Sequence, residues 1–187
     1  PDPTAATGLL ADTIGVDPER LLLTNGGSEA ISLVAAELGG GVVSEPDFSL
    51  HPRGEGPTWR SDPHNPTGRL AGDDVAVDVW DEAFYPLATG RWTAHRPGVA
   101  VGSLTKLFAC PGLRLGYVIA DDVERFAARQ PHWSVNTIAL AAMPDLLASA
   151  DLPGWRDAIA DARSALVALL AEHELVADAA DAPWVLV

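Results

Sequence analysis

The sequence predicts an α/β protein built on a mostly parallel sheet. Three observations lead there. Short runs that are apolar or β-rich throughout, as in strands buried on both faces, recur along the chain. They are Leu21 to Thr24, Gly41 to Ser44, Val75 to Trp80, Val99 to Leu104, Leu115 to Ala120 and Trp184 to Val187. Segments with helical spacing fall between several of them. Apolar residues make up 48% of the 187, enough for a sizeable core.

Taken in order, the first strand, Leu21 to Thr24, runs into Asn25-Gly26-Gly27-Ser28. A helix follows over Ser28 to Leu38, with Ile31, Val34, Ala35 and Leu38 at i, i+3, i+4, i+7. Gly41 to Ser44 is the next strand. Glu45 to Asp73 is dense in proline and glycine and reads as a long loop, a feature that is often functional. Val75 to Trp80 reads as a buried strand that leaves Asp81 at its C-terminal end, where open α/β sheets bind ligands. Strands over Val99 to Leu104 and Leu115 to Ala120 flank a segment that glycines and a proline keep irregular. Helices follow over Asp122 to Gln130 and over Asn136 to Ser149, where Pro144 is expected to break or kink the second. Leu152 to Glu174 is the longest helix, with Pro153 in its first turn and Ile159, Ala162, Leu166, Leu169 and Leu170 on one face. From Leu152 onward the strand pattern stops. Residues 1–150 are therefore read as a large domain, and 151–187 as a long helix and the first strand of a smaller one. Both ends look cut, so the sequence reads as part of a longer protein.

Composition excludes several classes of function. Twelve basic residues against 26 acidic ones give a net charge of −14, which disfavours nucleic acid or an anionic membrane as partner. No apolar run approaches the roughly 20 residues of a membrane span. A single cysteine, Cys110, rules out an internal disulfide framework and a cysteine-based metal cage, and no metal site is expected. Nothing at the front resembles a signal peptide, so a cytoplasmic location is the expectation.

The basic residues are eleven arginines and one lysine, Lys106. Arginine replaces lysine where only charge matters. It cannot do so where a neutral amine must attack a carbonyl, because guanidinium stays protonated. Lys106 is thus a candidate for chemistry. Four local patterns surround this point. Gly27 and Ser28, at a strand-to-helix turn, offer free N–H groups to an anion, although a plain turn capped by Ser28 has the same sequence. Asn65, in Ser61-Asp62-Pro63-His64-Asn65-Pro66-Thr67-Gly68, is held extended by the proline after it. Asp81, in Val79-Trp80-Asp81-Glu82-Ala83-Phe84-Tyr85, is a strand-end carboxylate that needs a cation or hydrogen bonds. Finally, Ser103, Thr105, Lys106 and Arg114 lie within twelve residues, a set that suits an aldehyde bearing a phosphate.

In this order the four motifs resemble the fold-type-I pyridoxal-phosphate enzymes of the class I/II aminotransferase superfamily, across most of the chain. The resemblance implies a three-layer aminotransferase-type large domain with a mostly parallel sheet, plus the beginning of a small α+β domain. It implies pyridoxal 5'-phosphate linked to Lys106, with Asp81 paired to the pyridine nitrogen and Asn65 bonded to the phenolic oxygen. Gly27, Ser28, Ser103 and Arg114 would cup the phosphate, assisted by Thr105. His51, in Pro46-Asp47-Phe48-Ser49-Leu50-His51, stands where the family places a ring stacked on the cofactor. Phe84 stands where many relatives have a tyrosine, and strand alternation argues against Tyr85 as its replacement.

The stretch Gln130-Pro131-His132-Trp133-Ser134-Val135-Asn136 resembles the Pro-Trp-Ser-Val-Asn of the threonine-phosphate decarboxylases of cobalamin biosynthesis, with His132 inserted. Histidinol-phosphate aminotransferases usually carry a Tyr-Asn-Val core there. The implied activity is therefore at the α-carbon of an amino acid, a phosphorylated one, by decarboxylation. Transamination of the histidinol-phosphate type is the alternative. A non-catalytic relative serving binding or assembly is the other, motivated by His51, Phe84 and spacings around Asn65 that are short for the family. The family is usually homodimeric, with the site at the interface, so a homodimer is implied.

Overall fold

The computed structural model describes residues 2–187. Helix α1 (Thr4–Ile14) buries Leu10, Ala11 and Ile14 and stops at Gly15, whose φ of 82° suits a left-handed helix end. Strand β1 (Leu21–Asn25) leads directly into α2 (Gly26–Leu38). The short β2 (Gly41–Val42), β3 (Thr58–Ser61) and β4 (Val79–Asp81) come next, followed by the one-turn α3 (Tyr85–Thr89). After β5 (Val99–Ser103) comes a single turn, α4 (Leu104–Leu107), and then β6 (Leu115–Ile119). Helices α5 (Glu124–Ala127), α6 (Thr137–Ala148) and α7 (Leu152–Glu172) lead to a small hairpin, β7 (Asp178–Ala179) and β8 (Val185–Leu186).

Six strands form one sheet in the order β1-β6-β5-β4-β3-β2. Strands β2 to β5 are mutually parallel, and β6 runs antiparallel to both of its neighbours. Alternation along the strands sends Leu21, Leu23, Leu115, Tyr117 and Ile119 to a core shared with α1 and α6. The opposite face sends Val79, Val99, Val101 and Val118 to a core shared with α2 and α5, where Trp59 and Phe126 are fully buried. Helices thus cover both faces, and the α/β expectation with a mostly parallel sheet holds.

Register brings the site together. Ser61 pairs with Asp81, and Asp81 with Val101, so β3 and β4 end level with each other and β5 runs on to Ser103 at the same edge. Because β1 and β5 both oppose β6, β1 ends at the same edge, with Asn25 opposite Leu115 and Ser103 opposite Gly116. Two glycines permit the close approach this needs. A Cβ on Gly116 would lie 2.4 Å from the Gly26 carbonyl carbon, and one on Gly102 would lie 2.1 Å from Cζ of buried Tyr117.

Several sequence expectations are corrected. The Val75 to Trp80 strand contracts to Val79–Asp81, with Asp81 as its last residue. The long loop hides β3, a four-residue strand between proline-containing turns and too short to show a period. Helix α6 continues through Pro144. Lys106 sits on the helical turn α4 rather than on irregular chain. Helix α1 was not foreseen, because its threonines and glycine mask its apolar stripe.

The C-terminal part lies outside the six-stranded sheet. Of α7, only Leu152 is buried. The β7–β8 hairpin docks on the loop after β3. The Asp181 and Ala182 N–H groups donate to the Gly68 carbonyl at 2.9 and 3.0 Å, and Trp184 Nε1 donates to the Pro66 carbonyl at 2.8 Å. Among the described residues, no helix is long and apolar enough to cross a membrane.

Candidate active site

A cavity of about 300 Å³ opens at the C-terminal edge of the sheet. Gly27, Ser28, Asn65, Asp81, Ser103, Thr105, Lys106 and Arg114 all line it. The structure therefore assembles eight of the nine residues singled out from the sequence. The ninth, His51, lies behind the wall.

One end of the cavity is built for an anion. Helix α2 begins there with Gly26 at φ 77°, and Gly27 and Ser28 of its first turn, whose N–H groups have no partner within the helix, line the cavity. Arg114, also left-handed at φ 56°, lays its guanidinium against Gly26 and donates to the Asn25 carbonyl at 3.3 Å. A Cβ on Gly26 would fall 2.4 Å from that guanidinium, so glycine is required for the arrangement. The buried hydroxyls of Ser103 and Thr105 share a hydrogen bond of 2.8 Å. One guanidinium, three hydroxyls and a helix start converge on this end.

The other end is acidic. Asp81, on the last residue of β4, is buried and accepts at both oxygens. The Ala83 N–H donates to Oδ1 at 2.9 Å, and His51 Nε2 lies 3.1 Å from Oδ2. Lys106 lines the cavity with Asp81 on the turn that follows β5, its Nζ 5.7 Å from the centre of the Phe84 ring. Phe84 is fixed edge-on against Trp184, with centroids 5.0 Å apart. Asn65 is held by its own N–H, which donates to Ser61 Oγ at 2.8 Å. Tyr85 turns away, close to the Arg96 guanidinium, so it does not replace a tyrosine at Phe84.

His51 is the correction. Its side chain is fully buried and does not line the cavity, so it offers no ring face to a ligand. Phe48, three residues earlier in the same stretch, is the ring on the wall. The sequence carried that signal, since both rings lie in Pro46 to His51. The choice between them depended on which one the loop turns outward. His51 instead bridges Asp47 Oδ1, 3.0 Å from Nδ1, and Asp81 Oδ2. Burial alone would push its pKa down, but the bonds to Asp47 and Asp81 outweigh burial and lift it to about 9.

Two further supports were not foreseen. Arg96 Nη2 lies 2.6 Å from Asp62 Oδ2 and Arg96 Nη1 lies 3.7 Å from Glu82 Oε1, with the guanidinium 4.0 Å over the Trp80 ring. Asp62 opens the loop that carries Asn65, and Glu82 follows Asp81, so Arg96 ties both walls together. Burial pushes the Glu82 carboxyl upward, against the bonds from Thr93 and Ala94 and the charge of Arg96. The second support is Glu29 in the first turn of α2. Its Oε2 accepts from the Asn25 N–H, from Gln130 Nε2 and from Ser134 Oγ, joining the anion end to the 130–136 segment.

No family model matches the chain. Threonine-phosphate decarboxylase of Salmonella typhimurium is 33% identical over 117 residues, a match that covers 51% of this chain and 31% of that protein. The match thus spans about a third of the length of this curated relative. Among solved structures, L-threonine-O-3-phosphate decarboxylase from Porphyromonas gingivalis aligns with a TM-score of 0.74 at 22% identity, over 97% of this chain and 74% of that one. Histidinol-phosphate aminotransferase from Sinorhizobium meliloti, solved with pyridoxal 5'-phosphate, aligns with a TM-score of 0.76 at 17% identity, over 99% and 66%. The chain carries the pyridoxal-phosphate-dependent aminotransferase fold.

Proposed function

We propose that this protein binds pyridoxal 5'-phosphate and acts at the α-carbon of a phosphorylated amino acid, by decarboxylation of the threonine-phosphate type. One observation carries the reading. A single cavity holds the only lysine of the chain, a buried carboxylate at one end and an anion cradle at the other. This donor set matches the cofactor's chemistry group for group. The Ser28, Ser103 and Thr105 hydroxyls, the α2 N–H groups and Arg114 would hold the phosphate. Asp81 would accept from the protonated ring nitrogen, and Asn65 would bond the phenolic oxygen. Phe48 would cover a ring face. Lys106 would supply the amine that holds the cofactor's aldehyde group and the group that holds or moves a proton at the substrate's α-carbon. When bound, the cofactor supplies an electron sink for the charge left at that carbon.

Two observations support the decarboxylase over a histidinol-phosphate type of aminotransferase. They are the 33% identity to the Salmonella decarboxylase and the Trp133-Ser134-Val135-Asn136 stretch. A homodimer belongs to the same reading. Trp133 and Ile138, 83% and 72% exposed, are apolar side chains that a second copy would cover. Residues 151–187 are proposed as the start of a separate smaller unit.

Borohydride reduction of the protein incubated with pyridoxal 5'-phosphate, followed by peptide mass spectrometry, should place the adduct on Lys106. No adduct there would end the proposal. Carbon dioxide release from O-phospho-threonine supports the decarboxylase. Glutamate formed from 2-oxoglutarate with histidinol phosphate supports the aminotransferase. Cofactor binding with neither product would favour a non-catalytic relative.

A further inference from the structure

We propose that Asp47 is a positioning residue of this site, one that holds His51 as a doubly protonated imidazolium so that the wall behind Asp81 presents a net charge of −1 to the cavity. The inference rests on the pyridoxal-phosphate reading only for the ligand it serves. Its structural content is independent of that ligand.

Hydrogen-bond chemistry carries the argument. A neutral imidazole has one N–H and one bare nitrogen. Here each ring nitrogen faces a carboxylate oxygen, Asp47 Oδ1 at 3.0 Å and Asp81 Oδ2 at 3.1 Å. Carboxylates only accept, so both nitrogens must carry a proton. All three side chains are excluded from solvent, His51 at 0%, Asp47 at 1% and Asp81 at 7% exposure. Bulk solvent does not reach a misplaced lone pair there, and an unpaired buried polar group is costly. The neighbouring charged groups leave this intact. Arg53 donates to the His51 carbonyl, at 2.6 Å, and to backbone oxygens of Asp47 and Phe48, not to the ring. His64 Nε2 lies 3.6 Å from Asp47 Oδ2, and burial pushes that imidazole down, towards its neutral form.

The charge count explains why Asp47 matters. An imidazolium behind Asp81 with no second carboxylate would make a neutral pair, a weak partner for a cationic ring nitrogen. A neutral His51 would leave Nδ1 bare against Asp47. Asp47 balances the imidazolium, so Asp81 meets the cavity as an unspent carboxylate. Asp47 Oδ1 accepts from the Phe48 N–H and faces His51, while its buried Oδ2 has no hydrogen-bond partner.

The test is nitrogen-15 NMR of the histidine side chains in the intact chain, without and then with pyridoxal 5'-phosphate. In the cofactor-free protein, His51 should show two protonated ring nitrogens up to a midpoint near pH 9. Asp47→Asn should lower that midpoint by at least about one pH unit, and Asp47→Glu should restore it. A single-proton His51 at pH 7.5 in the wild type overturns the proposal, and that measurement needs no variant to fold. An unmoved midpoint in Asp47→Asn overturns it too, since a merely structural Asp47 would leave the ring's protonation alone. With cofactor, Asp47→Asn should weaken binding about tenfold, with recovery in Asp47→Glu. Unchanged affinity beside a shifted His51 removes the positioning role. A wild type that never binds the cofactor, but shows the doubly protonated ring, sinks the functional reading and leaves the charge state of His51 standing.

Discussion

Replacing Arg96 with methionine tests how the two walls of the cavity are held. Methionine keeps most of the stem volume but removes the charge and the guanidinium stacked over Trp80. Asp62, 0% exposed, then loses its 2.6 Å partner, and Glu82, 1% exposed, loses a cation 3.7 Å away. Both keep smaller supports. The Ala71 N–H still donates to Asp62 at 2.8 Å, and Thr93 Oγ1 still donates to Glu82 at 2.6 Å. Removing one partner of a buried ion pair costs about 3–5 kcal/mol. Because Arg96 is itself 24% exposed on its side chain, the lower end applies, about 3 kcal/mol, including roughly 0.5–1 kcal/mol for the lost stacking on Trp80. The penalty should depend on pH with a definite sign. Burial already raises the Glu82 pKa, and loss of Arg96 removes a charge that lowers it. An acid whose folded pKa is raised binds more protons folded than unfolded, so the variant regains stability as pH falls. Urea unfolding of wild type and Arg96→Met at pH 7.5 and pH 5 measures this. The deficit should be about 3 kcal/mol at the higher pH and clearly smaller at the lower. A deficit under about 1 kcal/mol, or one equal at both pH values, refutes the argument.

Three further outcomes follow from single contacts. Gly102→Ala places a Cβ 2.1 Å from Tyr117 Cζ in a fully buried layer, so it should destabilise the chain by about 3 kcal/mol in urea unfolding, with partial recovery when Tyr117→Leu is added. The raised pKa of His51 contributes stability that is complete below about pH 6.5 and is lost as pH rises through about 9, by at most roughly 3 kcal/mol. Urea midpoints should therefore fall between pH 6.5 and 9.5 in the wild type, and a His51→Gln chain with the same fall would contradict this. Glu29→Gln removes the charge from an acceptor of three donors, so amide exchange over residues 130–136 should speed up at least about tenfold while global stability changes by no more than about 2 kcal/mol.

What the sequence made legible divides along physical lines. Asp81, Gly27, Ser28, Ser103 and Arg114 could be found because each sits where strand meets turn, a boundary written in local sequence; Asn65 was marked by the proline after it and Lys106 by being the one lysine. An apolar run stops, and glycine, proline or a small polar residue follows. Once those strands are parallel and level, their ends form one edge, and the site follows from topology alone. The strands themselves were legible where they were long enough to show their apolar character, as in β1, β5 and β6. They were obscured where a sheet pairing, not a pattern, decides the conformation. Thr58 to Ser61 becomes β3 because β4 lies beside it, with Arg60 opposite Trp80.

The side chains behind the site were hidden for a different reason. His51, Arg96 and Glu29 make decisive contacts with residues 30, 34 and more than 100 positions away, and Asp47 reaches the site only through His51; a charged residue in isolation looks the same whether solvated or paired. His51 shows the cost of reading one residue without its partners. As a ring in a loop it passes for a stacking group. As the bridge between two buried carboxylates it belongs to the interior, and the stacking place goes to Phe48. The residues that would touch a ligand were therefore recoverable from local chemistry. Those that set the charge and orientation of the ligand-facing groups required the fold, because their role is defined by what they meet across it.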